Sequence, residues 1–171
     1  MAVFIDGNGI NYGTSGVSTA ATITGFTNGV YNAYWSDYVD AVLVNEDAVI
    51  EPGYAYAFDG KKYFKTEKYA DTRFFGMDSD TYGQGIGFEE GNMIRVPVAG
   101  FVLAYIDKEY EPGTPLTCTK KGILTEANEE LLKSKPYMVI ATYWRTEPNE
   151  LLTDGESRIV KVNGRHWVKI K

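Results

Sequence analysis

The chain has 171 residues and a formal charge of -6. That length buries a sizeable core without disulfides or structural metal, and with one cysteine, Cys118, and one histidine, His166, an intramolecular disulfide and any zinc site with several Cys or His ligands are excluded. Lys and Arg are too sparse over most of the chain for nucleic acid to be a main partner, and no apolar run approaches the length of a membrane span.

The N-terminus "MAVFIDGNGI" lacks a cationic region followed by a long apolar one, so no export signal is expected. Residues 1–33 contain no Lys, Arg or Glu and are rich in Gly, Thr, Ser and Asn. They have little apolar material for a core of their own and are expected to form an extended N-terminal arm or docking stem. Within it, "ATITGF" alternates as a strand does.

From residue 34 the pattern is β. "DYVDAVLVNEDAVIEPG" runs apolar residues up to a Glu-Pro-Gly turn, where Pro52 presets φ and Gly53 accepts a positive φ. "YAYAFDGKKYFKTE" then reads as a hairpin around Asp59-Gly60, a pair favoured by type I′ turns. Sixty residues after the first Glu-Pro-Gly comes a second, Glu111-Pro112-Gly113, again followed by a strand, a Lys/Gly turn and a strand ending in Thr-Glu. Two similar hairpin units are expected, packed into one small β-barrel or sandwich.

Between them, "RVPVAGFVLAYI" predicts one central strand over 95–106, buried on both faces. "TEANEELLKSKPY" predicts the one short helix, with Thr125 as N-cap and Pro136 ending it. "YMVIATYW" predicts a strand, and "RIVKVNGRHWVKIK" a closing hairpin on Asn163-Gly164 that sets His166 opposite Lys161.

Few residues suggest chemistry. His166 lies in the last strand and no serine occupies a Gly-x-Ser-x-Gly elbow, so a hydrolase triad is not expected and a structural histidine is. Asp78, Asp80, Gly83 and Glu89 fall at positions 1, 3, 6 and 12 of a calcium-loop template, but Tyr82 and Gly85 break it and the flanks do not read as helices. Asp78, Asp80 and Glu89 are therefore only weak metal candidates in a Gly-rich loop, and no cofactor is expected. Cys118, between threonines, reads as a buried, inert thiol. "YWSDYVDA" crowds Ser36, Asp37 and Asp40 together and reads as a strand entry with polar or solvated acids. The 13 tyrosines, large in contact area and polar at the tip, suit strands that bury against neighbouring chains.

Taken in order, "YWSDYVDA", "IEPGYAYA", "GMDSDTYGQGIG", "RVPVAGFVLAY", "YEPGTPLTC" and "VKVNGRHWVKIK" resemble the C-terminal domain of phage tail-fibre and head-fibre virion proteins, related to the intramolecular-chaperone, or peptidase G2, group. The resemblance covers about Trp35 to Lys171. It implies a homotrimeric β domain in the virion, and the expectation is that this domain docks on a major capsid or fibre-base protein through the N-terminal arm; an alternative reading is a receptor-binding module that recognises host-surface glycan through Tyr and Trp. Some members of the group cut themselves at a Ser-Asp bond. Carried over by position, Ser36-Asp37 would be the scissile bond and Asp40 the assisting carboxylate. Cleavage there would release a 36-residue N-terminal product, short for a fibre, so a retained, non-enzymatic structural role is the expectation.

Overall fold

The computed structural model describes residues 2–6, 9–13, 37–153 and 158–171. The chain divides into two compact units, 1–33 and 34–171. In the first, β1 (Ala2–Asp6) pairs antiparallel with β2 (Gly9–Gly13). "ATITGF", Tyr34, Trp35 and Ser36 lie outside the described residues.

The second unit is mainly β. Its first half comprises β3 (Asp37–Leu43), β4 (Ala55–Phe58), β5 (Tyr63–Lys65), β6 (Phe74–Met77), β7 (Tyr82–Ile86) and β8 (Met93–Ala99). Its second half comprises β9 (Phe101–Ala104), β10 (Pro115–Cys118), β11 (Leu124–Glu126), α1 (Glu129–Ser134), β12 (Ala141–Thr146), β13 (Leu151–Thr153), β14 (Ile159–Lys161) and β15 (His166–Ile170). Helix α1 is the only α-helix among the described residues of this unit.

The two halves run the same course. In the second, one antiparallel sheet has the order β11-β10-β12-β15-β9. In the first, β5-β4-β6 form one sheet and β7-β3-β8 another. The gap between β6 and β8 is bridged by Ser79 N–H donating to the Arg95 carbonyl at 3.0 Å and Arg95 N–H donating to Asp78 Oδ1 at 2.8 Å. The first-half order β5-β4-β6, β8-β3 thus matches the second strand for strand. Registers match too: Tyr56 opposes Gly76 as Leu116 opposes Ala141, and Val42 opposes Ile94 as Val102 opposes Val168. What differs is β7, which pairs parallel with β3, where the second half inserts the β13-β14 hairpin.

Alternation along β9 and β15 sends residues to both faces of the five-stranded sheet. Val102, Leu116, Cys118, Ala141, Tyr143 and Val168 form one apolar cluster, completed by Ala55 and Met77 from the first half. Leu103 and Trp167 face the other way and are covered by Leu152, Val160 and Val162. Thr66 ties the two hairpin units together: its hydroxyl donates to the Thr119 carbonyl at 2.6 Å, and its own carbonyl accepts from Gly122 N–H at 3.2 Å.

Several expectations need correction. The segment 95–106 is two strands in different sheets, because Gly100 at φ 109 leaves strand geometry. The Asp59-Gly60 hairpin closes through four residues rather than a two-residue turn: Phe58 opposes Tyr63, and Asp59 Oδ1 accepts from Lys61 and Lys62 N–H at 2.9 and 3.0 Å. Thr125 belongs to β11, and α1 is capped by Asn128, whose Oδ1 accepts from Leu131 N–H at 2.8 Å. At Asn163-Gly164 both φ values are positive and Arg165 N–H donates to the Val162 carbonyl at 2.9 Å, as a type I′ turn requires. The strands beyond it nevertheless diverge, β14 to β13 and β15 to β12 and β9, so His166 opposes Thr146 and Ala104 instead of Lys161. "YGQGI" is a strand, not a loop: β7 runs so close to β3 that a Cβ at Gly85 would stand 2.6 Å from Val39 Cγ2.

Candidate functional site

Two stretches far apart in sequence meet at the start of β3. Asp37 opposes Tyr82 at the start of β7, so its side chain turns inward beside the segment Asp78–Thr81 that joins β6 to β7. Along β3, Asp37, Val39 and Ala41 are buried while Tyr38 is exposed and Asp40 half-buried. Strict alternation places Asp40 on the outward side, away from Asp37.

The Asp37 side chain is the unusual group here. The residue is 3% exposed, and neither carboxylate oxygen has a hydrogen-bond partner among the described residues. Burial pushes its carboxyl up to about 6, with the Asp80 charge acting in the same direction. The nearby hydroxyls of Ser79 and Thr81 offset part of that cost, although they bond to each other at 3.2 Å. An isolated buried carboxylate is costly, and retaining its proton is the ordinary escape.

The flanking acids are engaged. Asp78, its side chain fully buried, takes the Arg95 backbone N–H, Arg95 Nε at 2.9 Å and Arg95 Nη2. Burial pushes the Asp78 carboxyl up, while at Arg95 the Asp78 carboxylate outweighs burial and holds the guanidinium above its ordinary value. Asp80 is gripped by both terminal nitrogens of Arg165, at 2.7 and 2.9 Å. Arg165 is itself buried, and its Nε donates to the Val162 carbonyl at 3.1 Å.

Asp78 and Asp80 therefore sit in ion pairs, and Glu89 lies exposed in the turn after β7. Among the described residues no group of three or more His, Cys, Asp or Glu side chains is placed to hold a metal ion. Cys118 is buried in the larger apolar cluster, where burial pushes its thiol up. His166 is half-buried. Its Nδ1 lies 3.2 Å from Thr146 Oγ1 and 3.4 Å from Tyr143 OH, and burial lowers its pKa.

No family model, curated protein or solved structure matches this chain. The residues that organise the site, Ser79, Thr81, Arg95 and Arg165, went unnoticed in the sequence because all four act on partners more than fifteen positions away. A usable signal was the alternation Asp78-Ser79-Asp80-Thr81, a run of polar residues entering a strand rather than solvent.

Proposed function

We propose that the chain is a phage virion structural protein, a head-fibre, capsid-decoration or fibre component. Its β domain assembles as a homotrimer, and residues 1–33 dock on a major capsid or fibre-base protein. The carrying observation is the β7-β3-β8 sheet, which leaves Tyr38, Leu43, Ile86 and Val98 exposed, Ile86 by 56%. Among the described residues strand β7 is also an edge strand. Exposed apolar side chains beside a sheet edge favour burial against further copies of the chain, and the resemblance to fibre domains points the same way. Native mass spectrometry of the purified chain tests it: a trimer is expected, and a monomer at micromolar concentration would overturn it.

A second reading, a self-cleaving intramolecular chaperone, is favoured by one observation. The buried, unpartnered Asp37 holds a proton in mild acid and belongs to the Ser36-Asp37 bond that the resemblance implies is cut. Ser36 lies outside the described residues. Intact-mass measurement after incubation at pH 5 and pH 8 decides it. Fragments split at Ser36-Asp37 that vanish in Asp40→Ala support cleavage, and an intact chain throughout excludes it.

A further inference from the structure

Residues 147–150 join β12 to β13, and residues 162–165 join β14 to β15. These two connections lie side by side and enclose an open groove of about 530 Å³, within the roughly 300–1,000 Å³ of small-ligand sites. It adjoins the Asp37 cluster through Arg165, which lines the groove and grips Asp80.

Glu147 lines the groove. It is only 7% exposed, yet it makes no ion pair with a described residue. Its partners are neutral: Trp167 Nε1 donates to Oε2 at 2.6 Å, and Asn149 donates to Oε1 from its backbone N–H at 2.9 Å and from Nδ2 at 2.6 Å. The carboxylate is thus locked in one orientation. Oε2 accepts one bond where a carboxylate oxygen can take about two.

His166 contributes a second fixed group. Thr146 and Tyr143 engage Nδ1, which leaves Nε2 as the imidazole's other polar atom on the groove lining. Burial keeps the ring neutral near pH 7. Lys161 and Asn163 line one wall and Glu150 the other, with Pro148, Leu151 and Val162 as apolar lining.

This chemistry narrows the ligand. Arg165 is engaged by Asp80, which leaves two carboxylates against Lys161 and disfavours an anion. Three apolar residues, Pro148, Leu151 and Val162, are interleaved with polar ones, which suits a ligand that carries both polar groups and C–H faces. Donors and acceptors are interleaved, and the group that uses both is the hydroxyl. We infer that the groove between residues 147–150 and 162–165 binds a neutral saccharide. Glu147 accepts from its hydroxyls, Asn163, Lys161 and His166 complete the hydrogen bonding, and Leu151 and Pro148 meet the sugar's C–H face. The virion reading does not require this site, and either can fail alone.

The test is amide-resolved NMR titration of the full chain with maltotriose, cellotriose and chitotriose at millimolar concentration. At least one sugar is expected to shift the amides of residues 146–151 and 161–166. Asn163→Gly, which keeps the positive φ of the turn, and His166→Phe, which keeps the ring without its nitrogens, should each weaken binding roughly tenfold, the scale of one lost hydrogen bond. Circular dichroism of both variants checks the fold, and Glu147→Gln serves as a third variant if either unfolds. No shift with any of the three sugars would overturn the inference. So would shifts confined to other surfaces, affinity unchanged in the folded variants, or shifts produced only by a polyamine or polyphosphate.

Discussion

The two Glu-Pro-Gly turns have nearly the same backbone and opposite surroundings. Gly53 and Gly113 adopt φ of 86 and 92, and each donates its N–H across to the neighbouring strand, to the Asp78 carbonyl at 2.8 Å and the Tyr143 carbonyl at 2.7 Å. A Cβ on Gly53 would meet Arg165 Cδ at 2.4 Å and the Leu103 carbonyl at 3.1 Å, whereas a Cβ on Gly113 would meet nothing within 4 Å. One local sequence therefore builds the same turn twice. Only the first is roofed over, by the arginine that the C-terminal turn delivers onto Asp80.

The same contrast holds at the strand junctions. The second half continues from β12 to β15 by a backbone ladder with one register shift between Tyr143 and Arg145, while the first joins β6 to β8 through the Asp78 carboxylate and Arg95. Arg95→Met should have the largest effect of the changes considered, because it leaves a fully buried Asp78 side chain unpaired. A loss of about 3–5 kcal/mol is expected in urea unfolding, and a loss below about 1 kcal/mol would mean that the ladder alone holds the junction.

Gly53→Ala comes next. Displacing Arg165 from Asp80 and placing alanine at φ 86 should together cost about 3 kcal/mol.

Asp37, in the first half, sharpens the comparison through pH. Its folded value of about 6 lies above the ordinary 3.8, so the folded state binds the extra proton. The resulting stability is complete below about pH 4 and is lost as pH rises through 6. Asp37→Asn should remove that slope and leave the variant up to about 3 kcal/mol more stable than the parent at pH 7. Parallel stability-pH curves for the two proteins would show that Asp37 is not the titrating group.

Gly113→Ala should show the smallest effect, about 1 kcal/mol from positive-φ strain alone. Equal losses at positions 53 and 113 would erase the difference between the turns.

Much of the β framework was legible because it rests on short-range rules. Pro52-Gly53 and Pro112-Gly113 dictated turns, Asn163-Gly164 dictated a type I′ turn, and the sixty-residue spacing disclosed two like units. Sheet partners were not legible: the Asn163-Gly164 turn forms as expected, but its two strands join different sheets. The site was half legible. Asp37 and the Asp78–Asp80 pair stood out separately, and nothing in the spacing said that they would meet.

The sequence by itself determined the β character, the buried Cys118, the paired turns and their glycines, since hydrophobic alternation and φ restrictions act within a few residues. Only the tertiary structure decided that Asp37 is buried without a partner, that Asp78 and Asp80 belong to Arg95 and Arg165, and that Gly53 is covered while Gly113 is open. Those outcomes depend on which distant strand packs where. Burial and long-range ion pairing set the energies of these groups, and neither is a property of neighbouring letters in the chain.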